Sequence, residues 1–155
     1  MKAIIACEKN GGIGHNGSMP WPSQSEDLKR FKELTLNKTI LMGRGTWESS
    51  DMPTPLPDRQ NIVVSSKDLR LPEDVIRLDH INYRTLVEDF KVDWIIGGAG
   101  LFNSLLDVIT EIHLSHIYES YECDKHIDLI RIHDEFILES SVDCGSHAYE
   151  IWKRK

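Results

Sequence analysis

Thr39-Ile40-Leu41-Met42-Gly43-Arg44-Gly45-Thr46-Trp47 decides the fold class. A short apolar, β-branched run stops at a glycine and a helix opens behind it. The unpaired N–H groups of the first helical turn therefore converge just past the strand, where a phosphate could sit. Trp94-Ile95-Ile96-Gly97-Gly98-Ala99-Gly100 has the same order of buried strand, glycines and helix start. Glycine there also permits tight packing of helix on strand, and the two readings are compatible.

Outward from these two turns, apolar runs at Ala3 to Cys7, Asn61 to Ser65, Val75 to Leu78, Val92 to Ile96 and Glu111 to Tyr118 read as further strands. Glu26 to Leu36, Tyr83 to Phe90 and Ala99 to Leu106 read as helices, and a short one opens at Arg44. This alternation predicts an α/β fold. We expect a single domain over residues 1–155, with a central, mostly parallel β-sheet and helices on both faces. Phe136 to Ser141 and Ala148 to Trp152, joined through Asp143-Cys144-Gly145-Ser146, are expected to close it as an antiparallel hairpin.

The helix from Glu26 has a readable start, because Ser23 and Glu26 have the spacing of a capping box. On it Asp27 and Phe31 are four apart and Leu28 and Phe31 three apart. The carboxylate thus shares a face with the apolar residues that dock on the sheet. It either favours the positive helix end or has a chemical use.

At 155 residues and 40% hydrophobic, the chain can bury one core. No stretch reaches the roughly 20 apolar residues that span a bilayer, and the apolar run from Ala3 is too short for a signal peptide. Three cysteines without Cys-x-x-Cys spacing fit a reducing compartment, so a cytoplasmic location is expected. A net charge of −7 argues against nucleic acid, and Lys153-Arg154-Lys155 reads as a solvated end. No metal is expected, because His113 and His116 sit three apart on a strand and face opposite ways, and Cys123 with His126 is a lone pair. Gly12-Ile13-Gly14-His15-Asn16-Gly17 matches G-x-G-x-x-G formally, but Pro20 and Pro22 forbid the helix that a dinucleotide turn needs. That segment reads as a mobile loop.

Met19-Pro20-Trp21, Asp27, Gly43-Arg44-Gly45-Thr46-Trp47 and Ile96-Gly97-Gly98-Ala99-Gly100 occur in this order, with Thr35-Leu36-Asn37-Lys38 and Pro55-Leu56-Pro57 between. No one block is specific, but their joint order is. By it the chain resembles the dihydrofolate reductases over nearly its whole length. The resemblance implies reduction of 7,8-dihydrofolate to tetrahydrofolate with NADPH, binding of folate analogues, and a monomer. It makes residues 10–23 a lid, with Met19 and Trp21 facing nicotinamide and pterin. Asp27 becomes the group that orients the pterin and assists protonation of N5, with Ser115 as its hydrogen-bond partner. Ile5, Cys7, Leu28, Phe31 and Ile96 become apolar walls, and Arg59 the grip on the substrate's glutamate carboxylate.

For the cofactor, the resemblance assigns Arg44, Ser65, Ser66 and Lys67 to the 2'-phosphate and Thr46, beside Gly43 and Gly45, to the pyrophosphate. Ile96, Gly97, Gly98, Ala99, Gly100, Leu101 and Phe102 become the second phosphate turn, with a cis Gly97–Gly98 bond, and Ala6, Ile13 and Gly14 further cofactor contacts. Two cations and two hydroxyls suit a phosphate monoester better than a bare ribose. Departures are Gly45 where many bacterial relatives carry histidine, Phe102 for tyrosine, Cys7 for alanine, Ser115 for threonine and Asp58 before Arg59. Two alternatives stay open: another pyridine-nucleotide reductase of pterins or pyrimidinones on the same fold, and a non-catalytic folate or NADPH binder.

Overall fold

The computed structural model describes residues 1–22 and 24–155. Its strands are β1 (Lys2–Cys7), β2 (Gly12–Gly14), β3 (Thr39–Gly43), β4 (Gln60–Val64), β5 (Ile76–Leu78), β6 (Trp94–Gly97), β7 (Glu111–Ile117), β8 (Lys125–His126), β9 (Phe136–Asp143) and β10 (His147–Arg154). Helices α1 (Ser25–Thr35), α2 (Arg44–Trp47), α3 (Ala99–Ser104) and α4 (Leu129–Glu135) connect them. Eight strands form one sheet in the order β5-β4-β3-β6-β1-β7-β10-β9. The pairings from β5 to β7 are parallel, while β10 runs antiparallel to both β7 and β9. This is the expected α/β sheet with its antiparallel closure.

Alternation along the central strands sorts side chains into two cores. Ala3, Ile5, Cys7, Leu41, Ile62, Ile95, Ile112 and Leu114 point to one face, where they meet Leu101, Phe102 and Leu105 around α3 and Ile132 of α4. Ile4, Ile40, Met42, Val63, Trp94 and Ile96 point to the other, where Phe31 and Leu34 of α1 and Trp47 of α2 cover them. Helices therefore lie on both faces.

Local boundaries differ in four places. The Ser23 half of the expected capping box lies outside the described residues; α1 starts at Ser25 with Gln24 at the cap position and no side-chain cap bond. Two α-helical residues, Tyr83 and Arg84, precede a π-helical segment, Thr85–Asp89, where the sequence predicts a regular helix over Tyr83 to Phe90. Gly12–Gly14 is a strand paired with β8, not wholly loop. Helix α4 was not foreseen, though Asp128 marks its start by accepting the Arg131 N–H at 3.1 Å.

At the start of β7 the strand register brings Lys2 and Lys153 beside Glu111, at 3.4 and 3.2 Å. His113 lies 2.6 Å from the same carboxylate. Burial pushes this carboxyl up, but hydrogen bonds from His113 and Lys153 and the charge of Lys2 outweigh it and hold it at about 2. A folded-state value below the unfolded one stabilises the fold at pH above the unfolded value and loses that contribution as pH falls toward the folded one. Urea midpoints should therefore fall more steeply between about pH 4.5 and 2 for the wild type than for Glu111→Gln; parallel curves would show that the cluster contributes nothing to stability.

Candidate active site

Asp27 sits in the first turn of α1, on the side that carries Phe31 and Leu34 onto the sheet. The Ser115 hydroxyl donates to Asp27 Oδ1. Ser115 is the ladder partner of Ala6, so both side chains stand on the α1 face at the β1–β7 junction. Arg30 Nη1 approaches the same Oδ1 at 3.5 Å, and about a fifth of each side chain is exposed. That neighbour was not singled out in the sequence, although the i,i+3 spacing could have revealed it.

The apolar walls are redistributed. Phe31 and Ile96 lie on Asp27's side of the sheet. Ile5 and Cys7 do not, because odd positions of β1 point into the α3 core; Ile4 and Ala6 are the β1 residues on Asp27's face. Burial above all, with the charges of Glu150 and Glu8, pushes the Cys7 thiol up, so Cys7 stays a neutral core residue. Leu28 is 47% exposed, one step round the helix from the docked stripe, so it does not pack on the sheet with Phe31.

Arg59 lies at the far end of α1. Its Nε donates to the Pro57 carbonyl at 2.8 Å and Nη1 to Thr35 Oγ1 at 3.2 Å, while that hydroxyl donates back to the Phe31 carbonyl. Among the described residues no carboxylate lies within ion-pair distance of Arg59, Asp58 included. Asp58 itself adopts a positive φ of 59°. Burial pulls the guanidinium down from its ordinary value and the Asp58 charge offsets part of this. Asp27, Phe31 and Thr35 recur every four residues, so an acid, an aromatic ring and a fixed cation follow one another over about 12 Å of helix.

At the C-terminal ends of β3 and β6 two backbones nearly touch. A Cβ added to Gly43 would stand 3.7 Å from Gly98 N, and one on Gly97, whose φ is +133°, would meet Thr46 Oγ1 at 3.0 Å. The Gly97–Gly98 bond is cis. Ile13 Cδ1 lies 3.9 Å from the Cβ position of Gly98. Beyond this corner the expected contacts thin out. Leu101 and Phe102 are buried in the α3 core, because α3 docks on the sheet through them and Ala99, so Phe102 offers no side-chain surface to a ligand. Gly100 is open.

Arg44, Ser65, Ser66 and Lys67 line one cleft of about 550 Å³ together with Val64 and Ile81. Ser65 shapes it: its hydroxyl accepts the Lys67 N–H at 3.1 Å, and this tight turn throws Ser66 and Lys67 outward. Arg44 is loosely tied to Glu48, 4.0 Å away. Gly45 is exposed with nothing within 4 Å of a built Cβ. Sequence reading missed the opposite wall, Asp79 and His80, which pair at 2.6 Å. The hydrogen bond from His80 is the main reason that the Asp79 carboxyl lies below the ordinary range.

The loop before α1 is fastened at its base by Glu8, 1% exposed. Oε1 accepts the N–H groups of Asn10 and Gly12 at 2.9 and 2.7 Å, and Oε2 that of Tyr121 at 3.2 Å. A buried carboxylate with three such donors replaces the water it has lost. Gly12 has no room for a side chain, since a Cβ would lie 2.4 Å from Cys123 Sγ. Gly14 accepts the Asp124 N–H and Asp124 accepts that of Asn16. Further on the ties are exposed: Ser49 Oγ donates to the Gly17 carbonyl at 3.2 Å and Met19 N–H to Asp51. Met19 is half-buried and Trp21 buried, the latter edge-on to Tyr121 with ring centres 6.2 Å apart. No helix forms inside the Gly12 to Gly17 segment, as the two prolines predict.

Residues 1–145 match the family model described as "Dihydrofolate reductase". The chain is 33% identical to "Dihydrofolate reductase type 8" of Escherichia coli, over all of this chain and 96% of that protein. It is 41% identical to "Dihydrofolate reductase" of Buchnera aphidicola from Acyrthosiphon pisum, over 74% and 70%, and 31% identical to that of Candida albicans, over 98% and 96%. With the parallel sheet, the Asp27–Ser115 contact and the paired glycine turns already in place, this coverage assigns the chain to the dihydrofolate reductase family.

Proposed function

We propose that the protein reduces 7,8-dihydrofolate to 5,6,7,8-tetrahydrofolate with NADPH. The observation that carries this reading is the sequence of groups along α1: a carboxylate at Asp27, the Phe31 ring and, about 12 Å on, the Arg59 guanidinium fixed over Thr35. A ligand with a hydrogen-bonding heterocycle at one end and a carboxylate at the other fits that order. Asp27, as an anion, would accept hydrogen bonds from the pterin's amino group and ring nitrogen, orient the bound tautomer and raise the basicity of N5, so that a water delivers the proton. Exposed Leu28 offers apolar surface at the mouth, and Met19 and Trp21 would exclude water.

The residues present fit the cofactor. Arg44 and Lys67 with the hydroxyls of Ser65 and Ser66 suit a phosphate monoester, and Gly97 and Gly98 beside Thr46, with open Gly45 and Gly100, place no side chain between a pyrophosphate and the N–H groups of these turns. Helices α2 and α3 have four and six residues, so charge neutralisation rests on the side chains more than on helix dipoles. When bound, NADPH supplies the hydride for C6 of the pterin. Asp79 opposes a phosphate's charge from the far wall of the cleft.

Purified protein should oxidise NADPH only when dihydrofolate is present; tight binding of both without turnover would overturn the enzymatic reading. Lys67→Ala and Arg44→Ala should each weaken NADPH about tenfold by fluorescence titration and leave NADH nearly unchanged, whereas equal losses would exclude a 2'-phosphate contact. Arg59→Leu should raise KM for dihydrofolate and spare pterins that lack the glutamate tail, and a loss shared by both would make Arg59 structural. Asp27→Asn keeps the shape but exchanges an acceptor for a donor. At neutral pH it should bind NADPH normally and lose about 10²–10⁴ in kcat, part of which returns as pH is lowered and solvent protonates N5 unaided. A mutant with wild-type rate and pH profile would remove Asp27 from the mechanism.

A further inference from the structure

Arg30 follows Asp27 by three positions, and an exposed pair at that spacing would sample many rotamers and contribute little. This one is not free. Its guanidinium carbon lies 3.9 Å from the centre of the Tyr149 ring, and Nη2 donates to Cys144 Sγ at 3.6 Å. Nη1 is 3.5 Å from Asp27 Oδ1, the oxygen that also accepts the Ser115 hydroxyl, and only 22% of the side chain is exposed. Among the described residues nothing hydrogen-bonds Asp27 Oδ2. Tyr149 and Ser115 are ladder partners between β10 and β7, so the platform under Arg30 and the donor to Asp27 are neighbours on one sheet face. The Tyr149 hydroxyl is itself held by His113 Nδ1, and burial above all pushes its ionisation up, so the ring is a neutral platform for a cation.

We propose that Arg30 is a positioning residue for Asp27: laid flat on Tyr149, it holds Oδ1 toward Ser115, leaves Oδ2 to the pterin, and tempers the negative charge with which the carboxylate raises the basicity of N5. The assignment rests on the reading of Asp27 as the group that meets the pterin. The groups facing Asp27 are Arg30 from its own helix and Ser115 from β7, with Tyr149 of β10 and Cys144 of the β9–β10 turn behind Arg30. Arg30 is the one fixed cation among them. A cation at this distance offsets part of the carboxylate's negative charge, so its removal leaves more of that charge facing N5 and keeps N5 protonated to higher pH. The planar head also matters, because an ammonium cannot lie on Tyr149 while reaching both Oδ1 and Cys144.

The test compares Arg30→Met with Arg30→Lys in single-turnover hydride transfer across pH, with KM for dihydrofolate and Kd for NADPH measured beside it. Arg30→Met should move the alkaline midpoint of the rate up by about half a unit to one unit and raise KM several-fold, with NADPH binding and the circular dichroism spectrum unchanged. Arg30→Lys should bring the midpoint back toward the wild type while KM stays raised. A wild-type midpoint in Arg30→Met, or an equal midpoint shift in both variants, overturns the proposal. Asp27→Asn separates the two readings: a wild-type rate there removes Asp27 and Arg30 together, whereas a collapsed rate beside an unmoved Arg30→Met midpoint removes Arg30 alone.

Discussion

A parallel sheet covered on both faces leaves its inner strands no place for a polar side chain unless a partner meets it there. Here the cover on the α1 face stops at β1. The apolar cluster under α1 takes Ile4, Ile40, Met42, Val63, Trp94 and Ile96 from four strands and nothing from β7. The polar β7 residues on that face are Glu111, His113 and Ser115, and each is met by a specific group: Lys2 and Lys153, Tyr149, and Asp27. The hydrogen bond from Ser115 to Asp27 therefore marks the line where a hydrophobic layer gives way to a polar one. An acid placed at that line is partly shielded from water and still reachable by a ligand, which is what proton-linked chemistry needs.

The sheet was legible in the sequence because its signal is summed over many residues. Each inner strand is a continuous apolar run, and the switch to alternation at Glu111-Ile112-His113-Leu114-Ser115 announces the strand where one face opens. The same alternation places Ile5 and Cys7, expected among the apolar walls, on the face of β1 opposite Asp27. A resemblance names the positions near a ligand, but the period of two decides which side chains face it, and odd positions of β1 face α3. Leu28 follows the same logic at the helical period, 100° away from the stripe that Asp27, Phe31 and Leu34 define.

What could not be read from the sequence depends on groups far apart in the chain. Glu8 is an ordinary surface-type residue by composition, yet it is buried under N–H groups of Asn10, Gly12 and Tyr121. No local pattern announces a partner more than a hundred residues away. Asp79 and His80 enter the cleft of Arg44 and Lys67 because β4 and β5 end side by side, a fact of strand order that spacing does not give. The Arg30 contacts with Tyr149 and Cys144 likewise exist only once β10 has closed the sheet.

These long-range contacts divide the site into two unequal halves. The side proposed for the cofactor is built from backbone: glycines at two strand ends, with Gly97 at a φ of +133° that side chains rarely adopt, and a turn at Ser65 that fixes two outward residues. Backbone geometry of that kind is set by the sheet and changes little with surface substitutions. The side proposed for the substrate is built from side chains of one helix and their partners on β7, β10 and the β9–β10 turn, Ser115, Tyr149 and Cys144, with Arg59 across from Thr35. Each of those partners arrives from a different part of the chain, so the position of Asp27 depends on how α1 sits against β7 and β10. Small displacements of α1 would leave the groups proposed to bind phosphate in place and misalign the carboxylate. The proposed chemistry would consequently be most sensitive to the packing of a single eleven-residue helix, and that helix is held over the sheet by apolar contacts at Phe31 and Leu34 and at its polar edge by Ser115 and Arg30.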